Sequence, residues 1–120
     1  MDIVEVLKSL GEPMRLRIIN LLREDTLCVC DLEKVMNITQ SNASRHLAVL
    51  RRARLIIGEK KAQWVYYSLD RNSIAKYPFL DELFAKELDK ISHCLADRAK
   101  LKRYRELGGD CTHNINLEGE

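Results

Sequence analysis

Apolar residues recur along the first half of the chain in short helical runs separated by sharp breaks. Val4, Leu7 and Leu10 fall at helical spacing, and Gly11 ends that run. Pro13 suits the first turn of a second helix, where its missing N–H costs nothing. Leu16, Ile18, Ile19, Leu21 and Leu22 give this helix an apolar surface broad enough to run through the core. After the polar Glu24-Asp25-Thr26, a short third helix spans about Cys30 to Met36. It turns Leu32, Val35 and Met36 inward, and Asn37 suits the left-handed position beyond its end. Thr39 is a good N-cap for a fourth helix reaching about Arg52. Ala43, Leu47 and Leu50 face inward there, while Gln40, Ser41, Asn42, Ser44, Arg45 and His46 stand outward.

The period then shortens to that of strands. Leu55-Ile56-Ile57 and Trp64-Val65-Tyr66-Tyr67 are rich in β-formers and flank the polar Glu59-Lys60-Lys61-Ala62-Gln63, which predicts a hairpin. Asp70-Arg71-Asn72-Ser73 reads as a turn. One long helix is expected from about Phe79 to Leu107, with Leu80, Phe84, Leu88, Ile91 and Leu95 on one stripe and Gly108-Gly109 at its end. The fold expected is mainly α with a small β-hairpin: a winged helix-turn-helix. In it the third and fourth helices, joined by Asn37-Ile38-Thr39, form the helix-turn-helix and the hairpin is the wing. Residues 1–107 make the DNA-binding and dimerisation domain, and 108–120 a flexible C-terminal tail. The first and last helices carry more apolar stripe than one monomer of this size needs, so they are expected to pair in a homodimer.

The net charge of +2 becomes informative once it is divided along the chain. Residues 37–68 hold Arg45, Arg51, Arg52, Arg54, Lys60 and Lys61 against the single acid Glu59, while the remainder is net acidic. A basic element on an acidic scaffold is the electrostatic footprint of nucleic-acid binding. The fourth helix fits the major groove of double-stranded DNA, where Gln40, Ser41, Asn42, Ser44, Arg45 and His46 can reach bases or phosphates. Lys60 and Lys61 at the wing tip reach neighbouring phosphates.

Composition narrows the setting. Charge interrupts every apolar run before the roughly 20 residues that a membrane helix requires. Acids stand at the N-terminus where a secretory signal carries Lys or Arg, so a cytoplasmic protein without a membrane partner is expected. Thiols stay reduced there, and the four cysteines (28, 30, 94 and 111) are ligands or sensors before they are disulfides. Thiolates at a helix start are favoured by its dipole and free N–H groups, and soft ions prefer such sulfur ligands. Within an α-helix, residues i and i+2 point about 200° apart. Cys28 and Cys30 therefore chelate one ion only if the helix begins after Cys28 or if its first turn opens. Such opening would distort the helix-turn-helix and act as the switch. A dithiol redox enzyme is disfavoured, because there is neither a C-x-x-C spacing nor a βαβ pattern. No catalytic residues and no organic cofactor are expected.

Four segments resemble the arsenic-repressor (ArsR) family of metal-responsive winged-helix repressors. Leu10-Gly11-Glu12-Pro13-Met14-Arg15-Leu16-Arg17-Ile18 is similar to the family's L-x-D-P-x-R-L-x-I, with Glu12 for Asp. Leu27-Cys28-Val29-Cys30-Asp31-Leu32 resembles its metal box E-L-C-V-C-D-L, with Thr26 in place of the leading Glu. Gln40 to Leu47 resembles its recognition helix Q-S-x-x-S-R-H-L, and Gln63-Trp64-Val65-Tyr66-Tyr67 its wing strand, with Ala62 at the usual wing glycine. The resemblance implies a homodimer that represses an operator without the ion and releases it on binding As(III), or Sb(III), at Cys28 and Cys30. Controlled genes would then be those of arsenic resistance. A Cd(II)/Pb(II) sensor of the same architecture is the alternative.

The third arsenic ligand stays open. Family members with a purely intrahelical site have a third Cys where Glu33 stands here, and the cadmium and lead sensors use an N-terminal arm that is cysteine-free in this chain. Cys111 in the tail is the first candidate, two-thiolate ligation the second, and Cys94, expected as a buried inert thiol, the last. Asp89, His93 and His113 lack the paired spacing of the family's zinc site and read as surface residues.

Overall fold

The computed structural model describes residues 2–113 and Leu117. Helix α1 (Ile3–Leu10) starts at Asp2, whose side chain accepts from the Val4 amide, and stops at Gly11. Helix α2 (Pro13–Glu24) begins on the Glu12 cap and buries Ile18, Ile19, Leu21 and Leu22. A two-residue strand β1 (Leu27–Cys28) leads into α3 (Val29–Met36), which ends at Asn37 in the left-handed conformation, φ 54°. Thr39 caps α4 (Gln40–Arg52) by accepting from the Asn42 amide. Strands β2 (Ile56–Lys61) and β3 (Trp64–Leu69) form the wing. The short helices α5 (Arg71–Ile74) and α6 (Pro78–Glu82) lead through a π turn (Leu83–Glu87) and a 3-10 turn (Leu88–Lys90) to α7 (Ser92–Glu106). This is a mainly helical winged helix-turn-helix with a small antiparallel sheet in the order β1-β3-β2.

The expected hairpin is tighter than its polar centre suggested. Strand pairing runs from Ile56 opposite Leu69 to Lys61 opposite Trp64, so only Ala62 and Gln63 turn. Ala62 takes the left-handed conformation, φ 57°, that such a two-residue turn demands. Strand β1 was not anticipated: two residues give no period, and only pairing of Leu27 with Tyr67 and Cys28 with Tyr66 defines it.

The single long helix from Phe79 to Leu107 is corrected to four helical pieces and an extended residue, Ile91 (φ −94°, ψ 115°). Leu80, Phe84 and Leu88 do face the core. Beyond them the break rotates the register, exposing Ile91 and Leu95 and burying Cys94 and Asp97. The physical reason lies on α2. Asn20 Nδ2 donates to the Cys94 carbonyl at 2.9 Å, and Arg17 forks onto Asp97 at 2.7 and 3.0 Å. A continuous helix would leave those two α2 side chains without these partners. Leu80, Phe84 and Leu88 are thus used inside the protomer. Of the residues expected to pair across a dimer, Val4 (55% exposed), Leu7 (52%), Ile91 and Leu95 (50%) remain at the surface. Among the described residues no helix is long and apolar enough to cross a membrane.

Candidate thiol centre and nucleic-acid interface

Strand β1 and helix α3 meet at Cys28, and that junction makes the site. Cys28 is extended (φ −99°, ψ 173°) as the N-cap of α3, and Cys30 is the second residue of the helix. Of the two ways the pair could converge, the structure takes the first: the helix begins after Cys28, and the sulfurs lie 2.9 Å apart. Opening of the first turn, expected as the switch, is therefore unnecessary for chelation. The cap geometry alone brings both thiols to one side, because the residue before a helix retains strand-like direction.

Cys111 completes the cluster. Its sulfur is paired with that of Cys28, the two Cα atoms lying 6.8 Å apart. One ligand atom from each of Cys28, Cys30, Cys111 and Asp31 lies within 4.8 Å of every other. Burial, followed by the charge of Asp31, raises the Cys30 thiol above its ordinary pKa. Cys94 lies outside this cluster, buried on α7, where desolvation raises its thiol likewise.

The path of the chain beyond α7 is fixed from below. Gly109 is buried against Tyr104, and a Cβ there would meet the phenol ring at 2.5 Å, so no other residue allows this approach. Arg105 Nη1 donates to the Gly109 carbonyl at 2.9 Å, while its Nε binds Asp25 at 2.8 Å. The Tyr104 hydroxyl donates to Asp31 Oδ1 at 2.9 Å, and the Asp110 carbonyl stands 3.2 Å from it. Asp31 Oδ2 accepts the Cys28 amide at 3.1 Å and faces Arg105 Nη2 at 3.4 Å. Asp110 folds the following turn by accepting from the Thr112 hydroxyl and from the Thr112 and His113 amides, which holds its carboxyl well below the usual carboxylate range. One buried carboxylate thus links the start of α3, the end of α7 and the segment that carries Cys111. Asp31 and Tyr104 were missed in the sequence. Only the proximity of an acid to the Cys-x-Cys pair could have suggested the first.

The expected DNA-facing residues divide. Gln40, Ser41, Asn42 and Arg45 are exposed on α4, with Arg45 Nη2 donating to Asn42 Oδ1 at 3.1 Å, and Ser44 is half-buried. Lys60 and Lys61 are exposed at the end of β2 beside the wing turn. The outward placement of His46 is corrected: it is 5% exposed, turned toward α2, with Nδ1 3.2 Å from Arg15 Nη1. A residue three positions after Ala43 and one before Leu47 lies on the edge of the inward stripe, and Arg15 supplies the partner that lets an imidazole be buried there. Asp89 does not join His93 in a metal cluster; its carboxylate binds Arg98 at 2.6 Å. A groove of about 470 Å³ joins the two functional regions, with Cys28, Cys30 and Glu33 on one wall and Gln40, Gln63 and Trp64 on the other.

Comparison with known proteins bears on the fold and the family. Residues 12–57 match the family described as "Bacterial regulatory protein, arsR family". The chain is 34% identical over 99 residues to the arsenical resistance operon repressor of Escherichia coli, covering 81% of this chain and 85% of that one. It is 45% identical over 65 residues to the arsenic resistance transcriptional regulator ArsR1 of Pseudomonas putida, a match covering 53% of this chain and about half (51%) of that regulator. Among solved structures, HlyU from Vibrio cholerae superposes with a TM-score of 0.58 at 34% identity, over 69% of this chain and 91% of HlyU.

Proposed function

The chain belongs to the ArsR family of DNA-binding transcriptional repressors, which are not enzymes, and from that premise we propose an As(III)-responsive homodimer that releases its operator when Cys28, Cys30 and Cys111 hold the ion. The observation that carries this reading is the convergence of three sulfurs from two ends of the chain onto the first turn of α3. Three soft donors suit trivalent As or Sb, which the donor set fits without help from the helix unwinding. Residues 1–107 form the DNA-binding domain, and 108–120 supply the third thiol. The two relatives quoted above, both named for arsenic resistance, support the same ion.

Asp31 bears on the Cd(II)/Pb(II) alternative, since a carboxylate beside three thiols completes a four-ligand set. Both of its oxygens are already engaged, however, by Tyr104, the Cys28 amide and Arg105. That occupancy favours a three-sulfur ion over one needing a fourth ligand. The pairing of Cys28 with Cys111 supports a second reading, in which an oxidant closes this disulfide and thereby excludes the ion. DNA contacts are assigned to Gln40, Ser41, Asn42, Ser44 and Arg45 in the major groove, with Lys60 and Lys61 on phosphates. Coupling runs across the shared groove, because Cys30 and Gln40 are walls of one cavity.

The test is release of a protein-selected DNA duplex by As(III), Sb(III), Cd(II), Pb(II) and Zn(II), each titrated into fully reduced protein. As(III) is expected to release at the lowest concentration. Cys28→Ser and Cys30→Ser should bind DNA normally and lose release, and Cys111→Ser should need more As(III). Release by Cd(II) alone would overturn the assignment of the ion. Release by peroxide but not by As(III) would establish the disulfide reading instead.

A further inference from the structure

Besides its buried apolar residues Ala43, Leu47 and Leu50, the recognition helix is tied to α2 through a buried imidazole. His46 Nδ1 lies 3.2 Å from Arg15 Nη1 and 3.8 Å from Glu12 Oε2. Arg15 in turn donates through Nε to the Ser9 carbonyl at 2.6 Å and through Nη2 to the Lys8 carbonyl at 3.4 Å. These carbonyls belong to the last turn of α1, where helix geometry leaves acceptor capacity free; the Lys8 carbonyl also accepts from the Gly11 amide at 3.3 Å. Glu12 fixes the other end of the guanidinium's own residue by accepting from the Arg15 amide at 3.0 Å. A guanidinium has donors only and does not deprotonate, so Nδ1 of His46 must be the acceptor and the ring must be neutral, with its proton on Nε2.

We propose that His46 is a positioning residue that, through Arg15, holds the recognition helix against the corner between α1 and α2 in its DNA-reading orientation, and that protonation of its ring releases this hold. Protonation removes the only acceptor available to Arg15 Nη1 on the ring and sets two cations about 3 Å apart. The charged groups facing the ring are Glu12 and Arg15 from α2 and Arg45 from α4 itself. Burial lowers the affinity of the ring for a proton, Arg45 and Arg15 lower it further, and Glu12 opposes them. The folded-state pKa is therefore depressed below the ordinary histidine value. The clasp is fully formed above the ordinary value and is lost as pH falls through the depressed one. A histidine that faced DNA phosphates would give the opposite slope, since affinity would rise as the ring gained charge.

The experiment measures affinity for a fluorescent duplex, selected from a random pool by the parent protein, between pH 8 and 5.5 at constant salt. The parent is expected to lose affinity steadily toward the acid end of that range, by at most about tenfold, the limit that one proton with an ordinary histidine pKa sets at pH 5.5. His46→Gln, whose amide oxygen accepts from Arg15 without titrating, should stay within about threefold of the parent at pH 7.5 and show a flat profile, a tenfold change being 1.4 kcal/mol. Arg15→Gln, read by the same assay, should also flatten the profile, because the cation in direct contact with Nδ1 is then gone and only the more distant charge of Arg45 remains. A His46→Gln profile as steep as the parent's, or parental affinity that rises toward acid pH, overturns the proposal. Thermal unfolding of each variant over the same pH range shows that the protein measured is folded.

Discussion

Replacing Tyr104 by phenylalanine removes one oxygen from beneath the thiol cluster and leaves the packing of the ring intact. The phenol is fully buried, and burial, reinforced by its bond to Asp31, raises its pKa far enough to make it a permanent donor. Its partner, Asp31 Oδ1 at 2.9 Å, is also buried. The other donors to Asp31, the Cys28 amide and Arg105 Nη2, both approach Oδ2 and do not serve Oδ1. A hydrogen bond to a charged group contributes about 1.5–3 kcal/mol, and leaving a buried carboxylate oxygen unpaired places the loss toward the upper part of that interval. We expect Tyr104→Phe to unfold in urea with about 2.5 kcal/mol less stability and an unchanged m-value. The hydroxyl also stands 3.2 Å from the Asp110 carbonyl, next to Cys111. Loosening that segment should weaken As(III) binding by about tenfold, or 1.4 kcal/mol, while leaving DNA affinity unchanged. Urea unfolding of the reduced, ion-free protein and a competitive As(III) titration measure the two effects separately. A variant within 0.5 kcal/mol of the parent (roughly the scatter of an ordinary surface substitution) and with parental As(III) affinity refutes the idea that Tyr104 organises the site.

Three further outcomes follow from named contacts. Asp97→Ala leaves the largely buried Arg17 guanidinium without its forked partner and should cost about 3–5 kcal/mol, read by chemical denaturation. Lys60→Ala should weaken binding equally on all duplexes and flatten the salt dependence by about one unit per lost phosphate contact. Gln40→Ala should instead cost about 1–3 kcal/mol on the selected duplex only. Leu7→Glu places a charge on the exposed apolar face of α1 and should turn a dimer into a monomer in sedimentation at micromolar concentration; a parent that is already monomeric refutes the dimer.

The helix-turn-helix was legible because each of its boundaries is marked by a residue with a local physical reason. Pro13 opens α2, Asn37 closes α3 in the left-handed region and, two residues further on, Thr39 caps α4. The wing strands were legible for the same local reason, their β-branched and aromatic content. What sequence periodicity missed depends on partners far along the chain. The break at Ile91 reflects Asn20 and Arg17, more than seventy residues away, claiming Cys94 and Asp97. The inward turn of His46 reflects Arg15, 31 positions earlier. The thiol centre was legible in its Cys-x-Cys half. Its floor was not, because Asp31 and Tyr104 become neighbours only when α7 packs on α3.

Placement of the thiols at a helix cap has a consequence for how sensing reaches DNA. A switch that unwound α3 would have to break helical hydrogen bonds, whereas here Cys28 and Cys30 converge with the helix intact. In the proposed response the element that an ion would reseat is instead the segment after Gly109, which brings Cys111 to the cluster. Tyr104 and Arg105 connect that segment to Asp31, and Asp31 holds the first amide of the Cys28–α3 junction. From that junction the groove to Gln40 and Trp64 spans both DNA-reading elements. A thousandfold loss of operator affinity corresponds to about 4 kcal/mol, comparable with one or two such buried charged hydrogen bonds. By linkage, the free dimer must then bind As(III) a thousandfold more tightly than the DNA-bound dimer does. Equal As(III) affinities in the two states would leave the thiol centre uncoupled from DNA, whichever cysteines hold the ion. Cys111→Ser separates the routes: if the tail transmits the signal, the variant should bind As(III) through Cys28 and Cys30 with most of the difference between free and DNA-bound states gone. A Cys111→Ser protein that keeps the full difference assigns the coupling to Cys28 and Cys30 alone.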